Sequence, residues 1–223
     1  MWNRPPHPIS TYASHLNQLK MKAKNKNMNL VDLADNSRTD KNTLHHYLPV
    51  YDDLLARIKD SALNVLEVGI CLGGSIKLWH DYFPNATIHG IDCMLYEFVW
   101  DELKNNDRIK LYTSSAVDVK KVDAYDPEWV MSTFGGKTFD FMLDDGPHTF
   151  ESQVAFLNLY LPLLARGGIL IIEDIADFNY LAKFKAVVED YERRTSNGYS
   201  VRMYDMRKVK CRYDDIIFVV SRV

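Results

Sequence analysis

The feature that most constrains the fold is an alternation of two kinds of segment after residue 60. Short apolar, β-branched runs alternate with stretches of helical character, which predicts a parallel sheet covered by helices on both faces. Seven strands are predicted, at Asn64 to Val68, Thr87 to Ile91, Lys110 to Thr113, Phe139 to Leu143, Gly168 to Ile172, Ser200 to Tyr204 and Ile216 to Ser221. Helices are predicted at Ser75 to Tyr82, Glu97 to Lys104, Pro127 to Thr133, Glu151 to Leu164 and Leu181 to Arg194.

The end of the chain departs from this alternation. A polar and basic connection, residues 205–215, joins the last two predicted strands in place of an amphipathic helix. Such a connection is typical of a terminal antiparallel hairpin, whereas a nicotinamide-binding Rossmann domain would continue its β-α-β alternation. The basic run from Arg202 to Arg212 is interpreted as a solvated hairpin, with the wall of an acceptor pocket as the alternative. The prediction is an α/β, Rossmann-like fold with a seven-stranded, mostly parallel sheet and a C-terminal antiparallel hairpin.

Composition bounds the size and the partners of this fold. With 223 residues, of which 47% are hydrophobic, the chain can bury one sizeable core. We expect one domain over residues 37–223 and an N-terminal extension or linker over residues 1–36, which holds the proline-rich stretch from Trp2 to Pro8. A net charge of -3 gives no global attraction to nucleic acid or to anionic membranes, so neither is expected as a partner.

Cysteine usage and hydropathy indicate the compartment. Cys71, Cys93 and Cys211 form no CxxC pair, which argues against a zinc site or a disulfide framework. No stretch approaches the roughly 18 consecutive apolar residues of a membrane span, and the first residues lack the apolar core of a secretory signal. A cytoplasmic location is therefore expected. The oligomeric state is left open, with a homo-oligomer among the permitted states.

A glycine-rich loop follows the first strand and predicts a cofactor site. Glycines let the backbone turn sharply and approach a ligand, and the free N–H groups at a helix start favour an anionic group. Asp92, at the end of the next strand, can accept hydrogen bonds from both hydroxyls of a ribose. The E-x-G-x-x-x-G-G spacing differs from GxGxxG and favours S-adenosylmethionine over NAD, with a purely structural turn as the alternative. The predicted contacts in the loop are Glu67, Gly69, Gly73, Gly74 and Ser75.

The loop after the third strand is the predicted adenine site. The glycine loop and Asp92 resemble the class I methyltransferase motif, and this resemblance implies that Ser115 and Ala116 contact the adenine, although many such enzymes have an acidic residue in place of Ser115. An ordinary loop is the alternative interpretation.

Acidic pairs follow two neighbouring strands. Asp144 and Asp145 end the fourth strand, and Glu173 and Asp174 end the fifth, so all four carboxylates should meet and repel at one edge of the sheet. A hard divalent cation such as Mg²⁺, Mn²⁺ or Ca²⁺ would relieve this repulsion. We assign Asp144 to the cofactor and Asp145, Glu173 and Asp174 to the metal. Both Glu173 and Asp174 can be ligands only if the chain turns there, and helix caps or solvated loop acids remain the alternative.

His148 lies three residues after Asp145 and is the candidate general base. A neutral imidazole can take the proton of a hydroxyl while a cation, held partly by Asp145, polarises its oxygen. Methyl transfer itself requires in-line alignment of nucleophile, methyl carbon and sulfonium. The interpretation is O-methylation with Asp145 and His148 as catalytic residues, against a loop histidine that has no chemical role.

Several motifs together resemble a known enzyme family, the metal-dependent sugar O-methyltransferases of macrolide biosynthesis of the mycinamicin and macrocin type. These motifs are Thr39-Asp-Lys41, His45-His-Tyr47, Tyr51, Leu66-Glu-Val-Gly-Ile70, Asp144-Asp-Gly-Pro-His148, Gly167-Gly168, Ile172-Glu-Asp-Ile175 and Tyr204-Asp-Met-Arg207. The resemblance covers about residue 37 to the end. It implies the class I S-adenosylmethionine-dependent methyltransferase fold, Mg²⁺ on Asp145, Glu173 and Asp174, His148 as base and a sugar diol on the metal. Pro147 replaces the family's usual serine or alanine.

The resemblance also implies where the acceptor binds. In such enzymes the segment Thr39 to Tyr51 helps to close over cofactor and acceptor, although composition alone would put His45 and Tyr47 on a helix face. The predicted substrate residues are Lys41, His45, Tyr47, Tyr51 and Asp177. The expected acceptor is a deoxysugar such as rhamnose on a glycan or glycoside. Domains of this type also occur fused to glycosyltransferases, with which the proline-rich start is compatible.

The sequence leaves other functions open. A catechol-type or other small-molecule O-methyltransferase would also hold two adjacent oxygens on Mg²⁺. A non-catalytic nucleoside-binding module or an NAD-dependent reductase could use the same sheet. Nucleic acid methylation is disfavoured, because the sequence has neither a basic stripe with interleaved aromatic residues nor an Asn/Asp-Pro-Pro-Tyr motif.

Overall fold

A computed structural model describes residues 28–93, 99–114 and 122–223. It contains one seven-stranded sheet in the order β3-β2-β1-β4-β5-β7-β6. The strands are β1 (Asn64–Val68), β2 (Thr87–Asp92), β3 (Ile109–Thr113), β4 (Phe139–Asp144), β5 (Leu164–Ile172), β6 (Tyr199–Asp205) and β7 (Ile216–Arg222). β1 to β5 pair in parallel, whereas β7 pairs antiparallel with both β5 and β6. The predicted α/β fold with its closing hairpin is confirmed.

Helices cover both faces of the sheet. They are α1 (Leu30–Leu33), α2 (Leu48–Leu55), α3 (Gly74–Tyr82), α4 (Asp101–Lys104), α5 (Pro127–Phe134), α6 (Phe150–Tyr160), α7 (Tyr180–Thr195) and α8 (Arg207–Lys210), with 3-10 turns at Ala56–Ile58 and Leu161–Leu163. Successive strand residues bury opposite faces. Val65 packs with Trp79 and Leu55 in one core cluster, whereas Leu66 packs with Phe156 in the other. No helix among the described residues has both the length and the apolar character needed to cross a membrane.

Two predicted element boundaries are wrong. The helix expected through Leu164 ends at Tyr160, because Pro162 lacks the N–H that an α-helix would use and instead lies in a 3-10 turn. β5 consequently begins at Leu164 rather than at Gly168. The helix expected from Glu97 is described only as Asp101–Lys104, and part of that prediction lies outside the described residues.

Three helices were not predicted from the sequence. α1 and α8 are single turns of four residues each, too short for a periodic pattern. α2 begins after Tyr47, with Pro49 in its first turn. His45 and Tyr47 therefore precede the helix, and their interpretation as a helix face is wrong.

Residues 28–36, part of the expected N-terminal extension, pack against the domain. α1 is capped by Asn29, whose side chain accepts a hydrogen bond from the N–H of Asp32. The N–H of Leu30 donates to Asp52 Oδ1 at 3.1 Å, and the Leu30 side chain is fully buried in the core. This packing places the following residues, 36–43, over the carboxyl edge of the sheet, where they line a cleft described below.

Leu30→Ala should lower the free energy of unfolding by about 2–5 kcal/mol, because it removes a buried side chain and leaves a cavity. Val31, which is 38% exposed in the same helix, provides the matched control. Val31→Ala should change stability by less than about 0.5 kcal/mol. Urea denaturation followed by circular dichroism measures both. Equal, small effects of the two substitutions would show that the N-terminal segment contributes nothing to the folded core.

Candidate active site

The loop between β1 and α3 is fixed by two close backbone approaches that only glycine allows. Gly69 has φ +98°, and a Cβ at this position would lie 2.0 Å from the carbonyl oxygen of Asp145. A Cβ on Gly74 would lie 2.4 Å from the carbonyl oxygen of Arg38. The loop is therefore held between the end of β4 and the N-terminal segment. Gly73, at φ +84°, is the N-cap residue that directly precedes α3.

Asp92 supports this loop directly. Its Oδ2 accepts hydrogen bonds from the N–H groups of Ile70 at 2.8 Å and Cys71 at 3.2 Å. The carboxylate at the tip of β2 thus orients the loop of β1, a contact that the sequence prediction of a ribose partner did not include.

Two predicted cofactor residues lie deeper than expected. Glu67 is fully buried and accepts a hydrogen bond from Trp79 Nε1 at 3.0 Å. Asp144 is also buried, and its Oδ1 accepts a hydrogen bond from the Tyr125 hydroxyl at 2.8 Å. Burial raises the pKa of each carboxyl to about 7. Ser115 and Ala116, predicted to contact adenine, lie outside the described residues.

Asp145, His148 and Asp174 gather at the carboxyl edge of the sheet. His148 Nε2 lies 3.8 Å from Asp145 Oδ1 and 3.6 Å from Asp174 Oδ2. One ligand atom of each residue lies within 4.8 Å of the others, close enough to hold a metal ion together. The chain turns at this point, since His148 and Asp174 have φ values of +58° and +54°. At this turn Asp174 faces the cleft, whereas Glu173 lies outside the cleft lining.

Glu173 lies behind this group and is almost completely buried. Lys41 Nζ donates to its Oε1 and the Tyr51 hydroxyl to its Oε2. Gln153 Nε2 donates to its backbone carbonyl at 3.0 Å and fixes the turn. The three residues that meet around one point are therefore Asp145, His148 and Asp174, and metal ligation by Glu173 stays a prediction.

Lys41, predicted to contact substrate, lies among the acids. Its side chain is 2% exposed, and Nζ lies 2.6 Å from Asp145 Oδ2 and 3.6 Å from Glu67 Oε1. Burial alone would lower the pKa of this ammonium, but Asp145, Glu173 and Glu67 outweigh that effect and hold the pKa well above its usual value. Lys41 is therefore a charged group inside the acid cluster.

The rest of the segment from Thr39 to Tyr51 also contacts the acids. The Tyr47 hydroxyl donates to Asp174 Oδ1, and His45 Nδ1 lies 3.3 Å from that oxygen and 2.6 Å from Asp215 Oδ1. The rings of His45 and Tyr47 stack at 4.7 Å. The segment expected to close over the site thus supplies partners to its carboxylates. Asp177, also predicted to contact substrate, is exposed and accepts a hydrogen bond from the N–H of Asn179.

Asp214 and Asp215 were missed by the sequence prediction. They precede β7, which runs antiparallel to β5, so the start of β7 lies at the edge where the parallel strands end. Asp215 is fully buried against His45, while Arg212 pairs with Asp214 through Nη2 at 2.9 Å. The sequence signal for these two site residues is that they directly precede the last predicted strand, whose start an antiparallel pairing places at the carboxyl edge of the sheet.

A cleft of about 400 Å³ connects the glycine loop with the acid group. Its lining comprises Asn36, Ser37, Arg38, Thr39, Asp40, Thr43, Gly69, Ile70, Cys71, Leu72, Ser75, Asp145, His148 and Asp174. The loop and the acids, predicted from separate parts of the sequence, therefore face the same space.

Comparisons with known proteins agree with this architecture. Residues 66–175 match a family described as a methyltransferase domain. A Streptomyces olivaceus 8-demethyl-8-alpha-L-rhamnosyl tetracenomycin-C 2'-O-methyltransferase is 26% identical, over 79% of this chain and 45% of its own. The 3'-O-methyltransferase for the 2-methoxy-rhamnosyl compound, from the same organism, is 30% identical over 78% of this chain and 43% of its own. The chain thus spans less than half the length of these relatives.

A solved structure is similar in fold. The MycE methyltransferase from the mycinamycin biosynthetic pathway, in complex with Mg and SAH, matches with a TM-score of 0.67 at 21% identity, over 87% of this chain and 55% of its own. The sheet order, the closing hairpin and the family match all indicate the same type of fold. Residues 66–175 match a methyltransferase domain family, and the chain that contains them has the class I methyltransferase fold.

Proposed function

We propose that this protein is an S-adenosylmethionine-dependent O-methyltransferase that acts on a sugar hydroxyl with the help of a divalent cation. The observation that carries the proposal is the single cleft shared by the glycine loop and the group Asp145, His148 and Asp174. The names of the relatives support a sugar acceptor, since two of them methylate rhamnosyl compounds. A deoxysugar such as rhamnose, carried on a glycoside or glycan, is the acceptor class we infer.

The cofactor is assigned to the loop side of the cleft. The N–H groups at the start of α3 can bind the methionine carboxylate, because a helix N-terminus presents unpaired donors to an anion. We assign the ribose to Asp92 at the end of β2, where the carboxylate also supports the loop. The methyl group of the sulfonium would then face Asp145 and His148 across the cleft.

The residues fit a divalent cation. Asp145 and Asp174 are close acids, and burial, followed by repulsion from Asp145, raises the pKa of Asp174. Such repulsion is what a bound cation relieves. Asp145 and Asp174 would hold Mg²⁺, or Mn²⁺ or Ca²⁺, with Glu173 as the third predicted ligand. When bound, the cation would polarise an acceptor hydroxyl and orient it.

His148 is assigned the base role. Its side chain is 37% exposed to the cleft and borders both acids, which can stabilise the imidazolium that forms. During transfer the sulfonium carbon–sulfur bond breaks and a carbon–oxygen bond forms, and the hydroxyl proton passes to His148. Pro147 is compatible with this role, because a proline restricts the residue before it, here Gly146, rather than the residue after it.

EDTA should abolish methyl transfer, and His148→Ala should lower turnover by about 10²–10⁴-fold, as expected for loss of a general base. The readout is transfer of labelled methyl from S-adenosylmethionine to methyl rhamnosides, with catechols as comparison acceptors. Affinity of His148→Ala for S-adenosylhomocysteine should stay at the wild-type value. His80→Ala, at a half-buried histidine that lies outside the cleft lining, is the control and should keep wild-type turnover. Full activity in EDTA would refute the metal role, and preference for catechols would refute the sugar.

Asp92→Ala should weaken binding of S-adenosylhomocysteine by about 5- to 150-fold, because two loop N–H groups and the ribose each lose an acceptor. Isothermal titration calorimetry measures this. Asp107→Ala, an exposed acid, is the matched control and should bind normally. Tight binding of NAD with no binding of S-adenosylhomocysteine by the wild type would overturn the cofactor assignment.

A further inference from the structure

Lys41 connects three strand ends through one buried ammonium. Glu67 lies in β1, Asp145 follows β4 and Glu173 follows β5. Lys41 Nζ is within 2.6 Å of Asp145 Oδ2, donates to Glu173 Oε1, and lies 3.6 Å from Glu67 Oε1. Since these three strands form the centre of the sheet, the ammonium lies at the middle of its carboxyl edge.

The charge at this edge is unbalanced without that ammonium. Glu67 and Glu173 are buried, and Asp145 and Asp174 border the cleft. Removing one partner of a buried ion pair leaves an uncompensated charge, which is strongly destabilising. His148 borders Asp145 and Asp174, and His45 borders Asp174 and Asp215. Among the described residues, Lys41 is the cation that pairs with Glu67 and Glu173.

Asp145 divides its two oxygens between the inner and outer parts of the cluster. Oδ2 faces Lys41 at 2.6 Å, whereas Oδ1 faces His148 at 3.8 Å. A cation held on the cleft side by Asp145 Oδ1 and Asp174 would share the Asp145 carboxylate with the ammonium, whereas ligation by Glu173 would compete with Lys41 for Oε1. Two positive charges on one carboxylate repel each other, and in a partly buried site this repulsion is weakly screened.

We propose that Lys41 is the built-in counter-cation of the acid cluster, which holds Asp145 and Glu173 in place before metal binds and limits how tightly the cluster binds a divalent cation. This inference rests on the proposed metal site. It assigns Lys41 to the metal centre rather than to the acceptor. It predicts that loss of the Lys41 charge lowers the stability of the metal-free protein and raises its affinity for a divalent cation.

Lys41→Met keeps the length of the side chain and removes its charge. Without metal, its melting temperature should fall below that of the wild type by several degrees, because buried carboxylates lose their counter-ion. Its affinity for Mn²⁺, measured by calorimetry at pH 7.5, should rise about tenfold or more, because the ammonium that repels the cation is gone. Saturating Mn²⁺ should consequently raise the melting temperature more in the variant than in the wild type.

Two further variants separate charge from structure. Lys41→Arg keeps the charge and should bind Mn²⁺ about as the wild type does. Glu67→Gln removes one inner carboxylate but keeps a hydrogen-bond acceptor for Trp79. The affinity of this variant for Mn²⁺ should fall. The variant also provides a test of the inference if Lys41→Met does not fold. Lys137→Met, an exposed lysine before β4, should change neither measurement.

The outcomes distinguish this inference from the proposed function. If the wild type binds Mn²⁺ and Lys41→Met binds it equally or more weakly, the counter-cation role is overturned while the metal site stands. If neither protein binds Mn²⁺, the metal site and the inference both fail. Tighter binding by Lys41→Met together with weaker binding by Glu67→Gln would support the inference.

Discussion

The carboxylates at one edge of the sheet, and the groups that neutralise them, determine how the rest of the site is arranged. Parallel strands β1, β4 and β5 end at this edge and bring Glu67, Asp145 and Glu173 together. No fold can bury such a set without compensating charge or hydrogen bonds. Lys41 supplies the charge, the Tyr51 hydroxyl donates a hydrogen bond to Glu173, and Trp79 Nε1 donates one to Glu67.

This constraint explains the path of the N-terminal segment. Leu30 anchors it in the core, and Gly74 allows Arg38 to cross the cofactor loop in backbone contact. Residues 39–51 can then contact the acids at the carboxyl edge of the sheet. The segment therefore forms a wall of the cleft and also supplies hydrogen-bond and ion-pair partners to the carboxylates of the cleft. The packing of Leu30 in the core thus helps to position these carboxylates.

Local patterns were sufficient to predict much of this molecule. Strand alternation gave β1, β2 and β4 nearly to the residue, because buried parallel strands are short apolar runs with polar ends. The glycine loop and the strand-end acids followed from the same periodicity. The position of β5 was less well predicted, since Leu161 to Leu163 are as compatible with a helix as with the 3-10 turn they form.

Contacts between distant parts of the sequence could not be predicted in this way. Lys41 meets Glu173 across 132 residues and His45 meets Asp215 across 170, and no local pattern specifies which lysine or histidine is buried. Family resemblance drew attention to Lys41 and His45 and suggested substrate contact for both. Their role in the acid cluster became visible only when the chain was folded.

We propose that a divalent cation binds between Asp145 and Asp174 in the cofactor cleft. Anomalous diffraction from crystals grown with Mn²⁺ and S-adenosylhomocysteine would locate this cation. We expect one strong peak with carboxylate oxygens of both residues at about 2.0–2.6 Å, on the side of the cleft that faces the cofactor sulfur. Bound S-adenosylhomocysteine with no peak between Asp145 and Asp174 would refute the metal site.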